Sequence, residues 1–203
     1  KPYAFKARPW ELTSFDTLKS IQTNTDIFLN TLSIEYQLFA RYEMNKMNDQ
    51  KDAQYFALKA IKASQGELIK PEDPNNWDIH KTKLKKFNSA YNQLMKLLSY
   101  EFLDKDKIIL AKAQVSYDCW LEQQEENWQI EHIRKCKNDF YNNLNYLKKN
   151  LESQITTKKQ EESINHKTIK SLETSKDIEE KNGNTLVKKS NNKGSNGIVN
   201  KIK

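Results

Sequence analysis

The chain has 203 residues, of which 36% are hydrophobic and 30% charged, with only four glycines, four prolines and a formal charge of +7. No apolar run approaches the roughly 18 residues of a membrane-spanning helix, and so few chain breakers favour long helices over a sandwich or doubly wound sheet. Residues 181–203 hold six lysines and no acid, which leaves residues 1–180 near +1, without the basic excess that phosphate binding usually draws on.

In chain order, residues 1–12 carry Pro2, Pro9, Tyr3, Phe5 and Trp10 with no helical period and are expected to form an extended arm whose aromatics pack across the helices. Thr13 or Ser14 can cap a short helix to about Gln22. Thr25 and Asp26 then read as the cap and first-turn acid of a longer helix, with Phe28, Leu32, Tyr36, Phe39 and Tyr42 or Glu43 on one face, running to about Met47. Asn48-Asp49 breaks the pattern. Asp52 suits the positive end of the next helix, whose buried face is Ala53, Phe56, Ala57, Ala60 and Ile61, with Gly66 as its stop. The alanines make this pair of helices resemble a single tetratricopeptide-type hairpin, although no second copy follows at a period near ~34 residues.

The segment from Glu67 to Ile79 has two prolines and paired asparagines, so it reads as a connector. Its Trp77 either covers an edge of the core or serves as an exposed partner contact. Leu84, Phe87, Tyr91, Leu94, Leu97 or Leu98 and Phe102 mark the next helix, which stops near Asp104. Ile109, Leu110, Ala113, Tyr117, Trp120 and Leu121 face inward on the helix after it. A turn is expected at Asn127-Trp128, with Trp128 as a second possible partner contact. Beyond it, Ile133, Cys136, Phe140, Leu144, Leu147, Leu151 and Ile155 continue the apolar face of a long C-terminal helix. After Thr156 the pattern decays, and residues 176–203 are expected to be disordered.

The turn makes the cysteines arithmetically interesting. Cys119 precedes Asn127 by eight residues and Cys136 follows Trp128 by eight, so in an antiparallel hairpin each lies roughly 12 Å from the turn and the two thiols are level. A disulfide is the preferred outcome. Two free buried thiols are compatible with the same spacing, and so is a metal site that adds His132 and a fourth ligand from Asp118 or Asp139. Structural zinc sites usually show paired Cys or His on both arms, which counts against the last.

No nucleophile has a recognisable base, and Gly66 is the sole glycine before the tail, so no phosphate loop exists. Two helices with Glu-x-x-His would be needed for a di-iron bundle, and none has it. Glu122, Glu125, Glu126 and Glu131 are expected to be solvated acids at the end of the hairpin. The fold expected is all-α: an irregular bundle of about five helices in αα-hairpins, one of them tetratricopeptide-like. It has an N-terminal arm over 1–25, a helical domain over 26–155 and a charged tail over 156–203.

The stretches DAQYFALKAIKASQGE (Asp52 to Glu67), PEDPNNWDI (Pro71 to Ile79) and AKAQVSYDCWLEQQEENWQIEHIRKCKNDF (Ala111 to Phe140) carry a resemblance. Over roughly Asp26 to Phe140 the chain resembles the N-terminal helical region of OmpA-family outer-membrane lipoproteins of Gram-negative bacteria. The Asp-Cys-Trp, Glu-Gln-Gln-Glu-Glu order followed by a second cysteine is its most specific part. The resemblance implies export, lipid anchoring through a cysteine upstream of this chain, and a structural role in the cell envelope. In those relatives a C-terminal α/β domain grips peptidoglycan. Here a Lys/Asn-rich tail stands in its place, so that binding is not carried over.

These readings converge on a non-catalytic helical scaffold or protein-interaction module of the periplasm or outer membrane, with no cofactor and no small-molecule substrate. The partner is expected to be a protein or another envelope component. The alternative is a binder of nucleic acid or anionic surfaces through the basic tail.

Overall fold

The computed structural model describes the backbone of residues 17–187, and beyond Gln160 the last helix is described as backbone alone. Within these bounds the chain is all-α. After a short 3-10 turn at Leu18–Ser20 come five α-helices: α1 (Ile27–Tyr42), α2 (Gln50–Ser64), α3 (Lys81–Leu98), α4 (Asp104–Glu126) and α5 (Ile130–Val187). Contacts divide the chain after Leu151, and the remainder, Glu152–Lys203, forms a separate unit of which the helical backbone to Val187 is described. The expected arm over 1–12 and the start of the short helix lie outside the described residues, as do residues 188–203.

Local residues set the ends of α1 and α2. Asp26 is the N-cap of α1, its Oδ1 accepting from Leu29 N at 2.8 Å, one residue later than Thr25. At its C-terminal end α1 widens into a π-turn over Glu43–Met47, closed by Asn48 in the left-handed region (φ 57°). Asp49 caps α2, accepting from the amides of Lys51 and Asp52 at 2.8 and 2.9 Å, and Asp52 lies in the first turn as expected. Gly66, at φ +91°, ends α2 in a Schellman motif: Glu67 N donates to Lys62 O at 3.0 Å and Gly66 N to Ala63 O at 3.1 Å.

α1 and α2 form the expected hairpin. Ala53, Ala57, Ala60 and Ala63 are fully buried along α2, so the two backbones approach closely while Phe39 and Phe56 pack with ring centroids 4.3 Å apart. The centre of the first unit is α4, which packs against both α1 and α3. Its Tyr117 and Trp120 meet Phe87 of α3, with centroids 6.3 and 4.1 Å away, and Phe140 of α5 at 5.4 and 6.0 Å. The apolar face of α5 is buried from Ile133 to Leu147, half-buried at Leu151, and gone at Ile155, which is 40% exposed rather than part of the core.

Candidate functional site

The turn between α4 and α5 falls where the cysteine arithmetic requires it. Asn127 closes α4 in the left-handed conformation (φ 56°, ψ 31°), its amide donating to Gln123 O at 3.0 Å, and α5 begins at Ile130. Asparagine tolerates this region better than other non-glycine residues. The two arms return level, and Cys119 and Cys136 are joined by a disulfide with Cα atoms 5.8 Å apart. His132 lies beside it, Nε2 3.8 Å from Cys119 Sγ. Neither Asp118 nor Asp139 completes a metal set with these three: Asp118 points into the core network below, and Asp139 accepts from Lys135 Nζ at 2.7 Å.

The tip of this hairpin presents apolar surface. Trp128 is 62% and Ile130 65% exposed. Beside them a groove of about 350 Å³ has Phe87, Trp120, Ile130 and Ile133 among its apolar walls and the cations Lys83, Lys86, Arg134 and Lys137 around it. Lys86 Nζ sits 5.5 Å from the Trp120 ring centroid. Burial, together with the neighbouring Lys137, holds the Lys86 ammonium below its ordinary range. On the other side of Trp128 the surface is acidic, lined by Asp78, Glu125 and Glu126. Glu125 Oε1 there accepts from Asp78 N at 3.0 Å.

Trp77 is buried rather than exposed. It is 5% exposed, and its indole Nε1 donates to Glu72 Oε2 at 3.2 Å, so it fastens the connector to the core. The connector needs such a fastening because it has no regular backbone pairing beyond one 3-10 turn at Pro74–Asn76.

That fastening belongs to a polar network the sequence reading missed. Lys59 of α2, fully surrounded, places Nζ 2.6 Å from Glu72 Oε1 and 2.6 Å from Asp118 Oδ2. The Tyr36 hydroxyl donates to the same Asp118 oxygen at 2.6 Å, and Glu72 N donates to Asp118 Oδ1 at 2.9 Å. Tyr55 OH donates to Glu72 Oε1 at 2.7 Å, and Gln114 Nε2 links Tyr36 OH to Ile69 O. Burial would push the Lys59 ammonium down, but the Asp118 and Glu72 carboxylates more than offset it and hold it above its ordinary value. Burial would raise Glu72, yet Lys59 keeps it below the usual carboxylate range. Asp118 is raised, first by complete burial and further by Glu72. The charged groups of the network are paired with one another, with Gln114 Oε1 left as a buried oxygen without a partner, and the arrangement resembles a clamp more than a reaction centre.

A second buried polar group lies at the far end of α4. Glu122 and Glu43 are fully buried, correcting the expectation that Glu122 is a solvated residue. Gln123 Nε2 donates to both, to Glu122 Oε2 at 2.7 Å and to Glu43 Oε1 at 3.2 Å. Burial first, and then the carboxylates of Glu43, Asp52 and Glu126, push Glu122 up to about 10. Glu125 and Glu126 are half-buried.

A groove of about 590 Å³ between the start of α1, the connector and the α3–α4 loop is walled by Phe28, Leu29, Leu98 and Phe102. No helix among the described residues is long and apolar enough to cross a membrane. No family model, curated protein or solved structure matches the chain.

Proposed function

We propose that this chain is a non-catalytic helical module of the cell envelope that binds a protein partner through the tip of its disulfide-closed hairpin. The carrying observation is Trp128, which stays 62% exposed on a turn whose two arms are covalently tied nearby. A large aromatic held out by a preorganised support is the usual anchor of a protein interface, because little ordering entropy remains to be lost on binding. Lys83, Lys86, Arg134 and Lys137 line the neighbouring groove that Ile130 shares, and there they favour a partner segment that is acidic as well as apolar. A disulfide in a chain of this size fits an exported protein. The resemblance to the helical region of OmpA-family lipoproteins supports the same location. For the non-catalytic reading, the support is that Lys59, Glu72 and Asp118 are committed to one another and to Tyr36, Tyr55 and Trp77.

The test is a photo-crosslinking amino acid placed at Trp128 and, as control, at exposed Leu38, in cells that produce the chain, followed by fractionation and alkylation of free thiols. A protein adduct at Trp128 alone, in the envelope fraction and with unalkylated cysteines, is expected. Free thiols in a cytosolic fraction would sink the location, and equal adducts at both positions would sink the interface. Nucleic-acid adducts lost steeply with salt would replace this reading by anionic-polymer binding.

A further inference from the structure

His132 stands beside the disulfide without being explained by it. Cys119 Sγ, Cys136 Sγ and a ring nitrogen of His132 all lie within 4.8 Å of one another. His132 and Cys136 are one helical turn apart on α5, and Cys119 reaches them from α4. Tyr42 packs against the imidazole with centroids 4.2 Å apart and the rings tilted by 38°. Its Nδ1 is buried with no hydrogen-bond partner, and its Nε2 meets only the cystine sulfur. A half-buried imidazole with neither nitrogen bonded to oxygen or nitrogen is an unsatisfied group, and metal coordination would satisfy it.

The distances agree. Tetrahedral zinc with Zn–S of about 2.3 Å and Zn–N of about 2.0 Å holds a sulfur and a nitrogen ligand roughly 3.6 Å apart. Cys119 Sγ and His132 Nε2 already stand 3.8 Å apart. Opening the S–S bond is then the main change required, since Cα atoms 5.8 Å apart need not move for both sulfurs to reach one ion.

We propose that the dithiol form of this hairpin is a zinc site built from Cys119, His132 and Cys136, so that its two arms are tied either by a disulfide or by a metal ion. A dithiol reductant supplies the two electrons: its own two S–H groups become a disulfide, and their hydrogens pass to Cys119 and Cys136. Zinc then forms bonds to both sulfurs and one imidazole nitrogen, releasing the two thiol protons to solvent. Water takes the fourth position, because Asp118 is held by Lys59 and Tyr36 and Asp139 by Lys135.

The experiment titrates Co²⁺ into the whole chain under anaerobic conditions, once oxidised and once reduced with a water-soluble phosphine, which leaves as its oxide with water supplying the oxygen. Reduced chain is expected to develop sulfur-to-cobalt charge-transfer and tetrahedral d–d bands at one cobalt per chain, displaced by Zn²⁺. Oxidised chain is expected to show none. C119S and C136S should each weaken the charge-transfer band, and H132A should lower affinity by about tenfold or more, as the loss of a supporting group already does in zinc sites. Circular dichroism is recorded on the same samples. Absence of the bands from reduced, helical chain would overturn the proposal, as would undiminished binding by H132A or equal binding by the oxidised form. A reduced chain that loses its helices and does not regain them with cobalt would overturn it equally.

Discussion

The Tyr36 hydroxyl donates to Asp118 Oδ2 across 2.6 Å, joining α1 to α4 over 82 positions of sequence. The same oxygen receives Lys59 of α2, and the other oxygen of that carboxylate receives the connector amide of Glu72. One side chain thus fixes three elements and a segment without regular structure.

Removing the cation from this group should be severe. Lys59→Met leaves Asp118 and Glu72 facing one another at the core with no countercharge, and truncating one partner of a buried ion pair costs about 3–5 kcal/mol. Urea unfolding followed by circular dichroism should show that loss. A change below about 1 kcal/mol would mean the charges are far better hydrated than their burial implies.

The two indoles should separate cleanly. Trp77→Ala removes a 5% exposed ring and leaves Glu72 without one of its donors, an expected loss of about 3–5 kcal/mol. Trp128→Ala should stay within about 0.5 kcal/mol of the parent protein, because the ring is largely in water. Thermal melts of the two variants provide the comparison.

Stability should fall as pH rises across the neutral range, with Glu122 as the source. Its folded value is pushed up from 4.5 to about 10, so between those limits the native state holds a proton that the unfolded chain has released. The sign is fixed: this contribution is fully present below pH 4.5 and is lost as pH climbs toward 10. The slope is at most about 1.4 kcal/mol per pH unit. Glu122→Gln should flatten the curve of unfolding free energy between pH 6 and 9. An unchanged slope in that variant would assign the effect to another group.

Gly66→Ala should cost about 1–2 kcal/mol, although there is room for the methyl group. A Cβ at this position would meet Asn24 Nδ2 at 3.7 Å, an ordinary contact, so the penalty comes from the left-handed backbone at φ +91°. Gly66→Asn should recover part of it, and chemical denaturation would rank the three.

The helical layout and the hairpin were legible because apolar spacing and stop residues carry their meaning locally. Phe28, Leu32, Tyr36 and Phe39 declare a face by themselves, and Asn127 sits midway between two cysteines. The buried clamp was not legible, since Lys59, Glu72 and Asp118 acquire their roles from elements remote in sequence. A faint signal did exist. Asp118 lies inside the run Tyr117, Cys119, Trp120, Leu121, and Lys59 is three residues after Phe56 on the alanine-lined face of α2. Charges in such places are either unstable or paired. Glu122 was misread for a similar reason: its place at the end of a helix resembles that of a solvated acid, and its burial depends on neighbours from elsewhere in the chain, Glu43 and Asp52 among them.

The proline-containing connector from Glu67 to Ile79 acts as a seam of the interior, because Glu72 gives its amide to Asp118 and its carboxylate to Lys59, Tyr55 and Trp77. The helical pair before it and the helices after it therefore cannot come apart like the covers of a book while each keeps its shape. Heating should melt the first unit in one cooperative step, and a protease should find this loop, although it lacks regular backbone pairing, as hard to cut as the helices beside it.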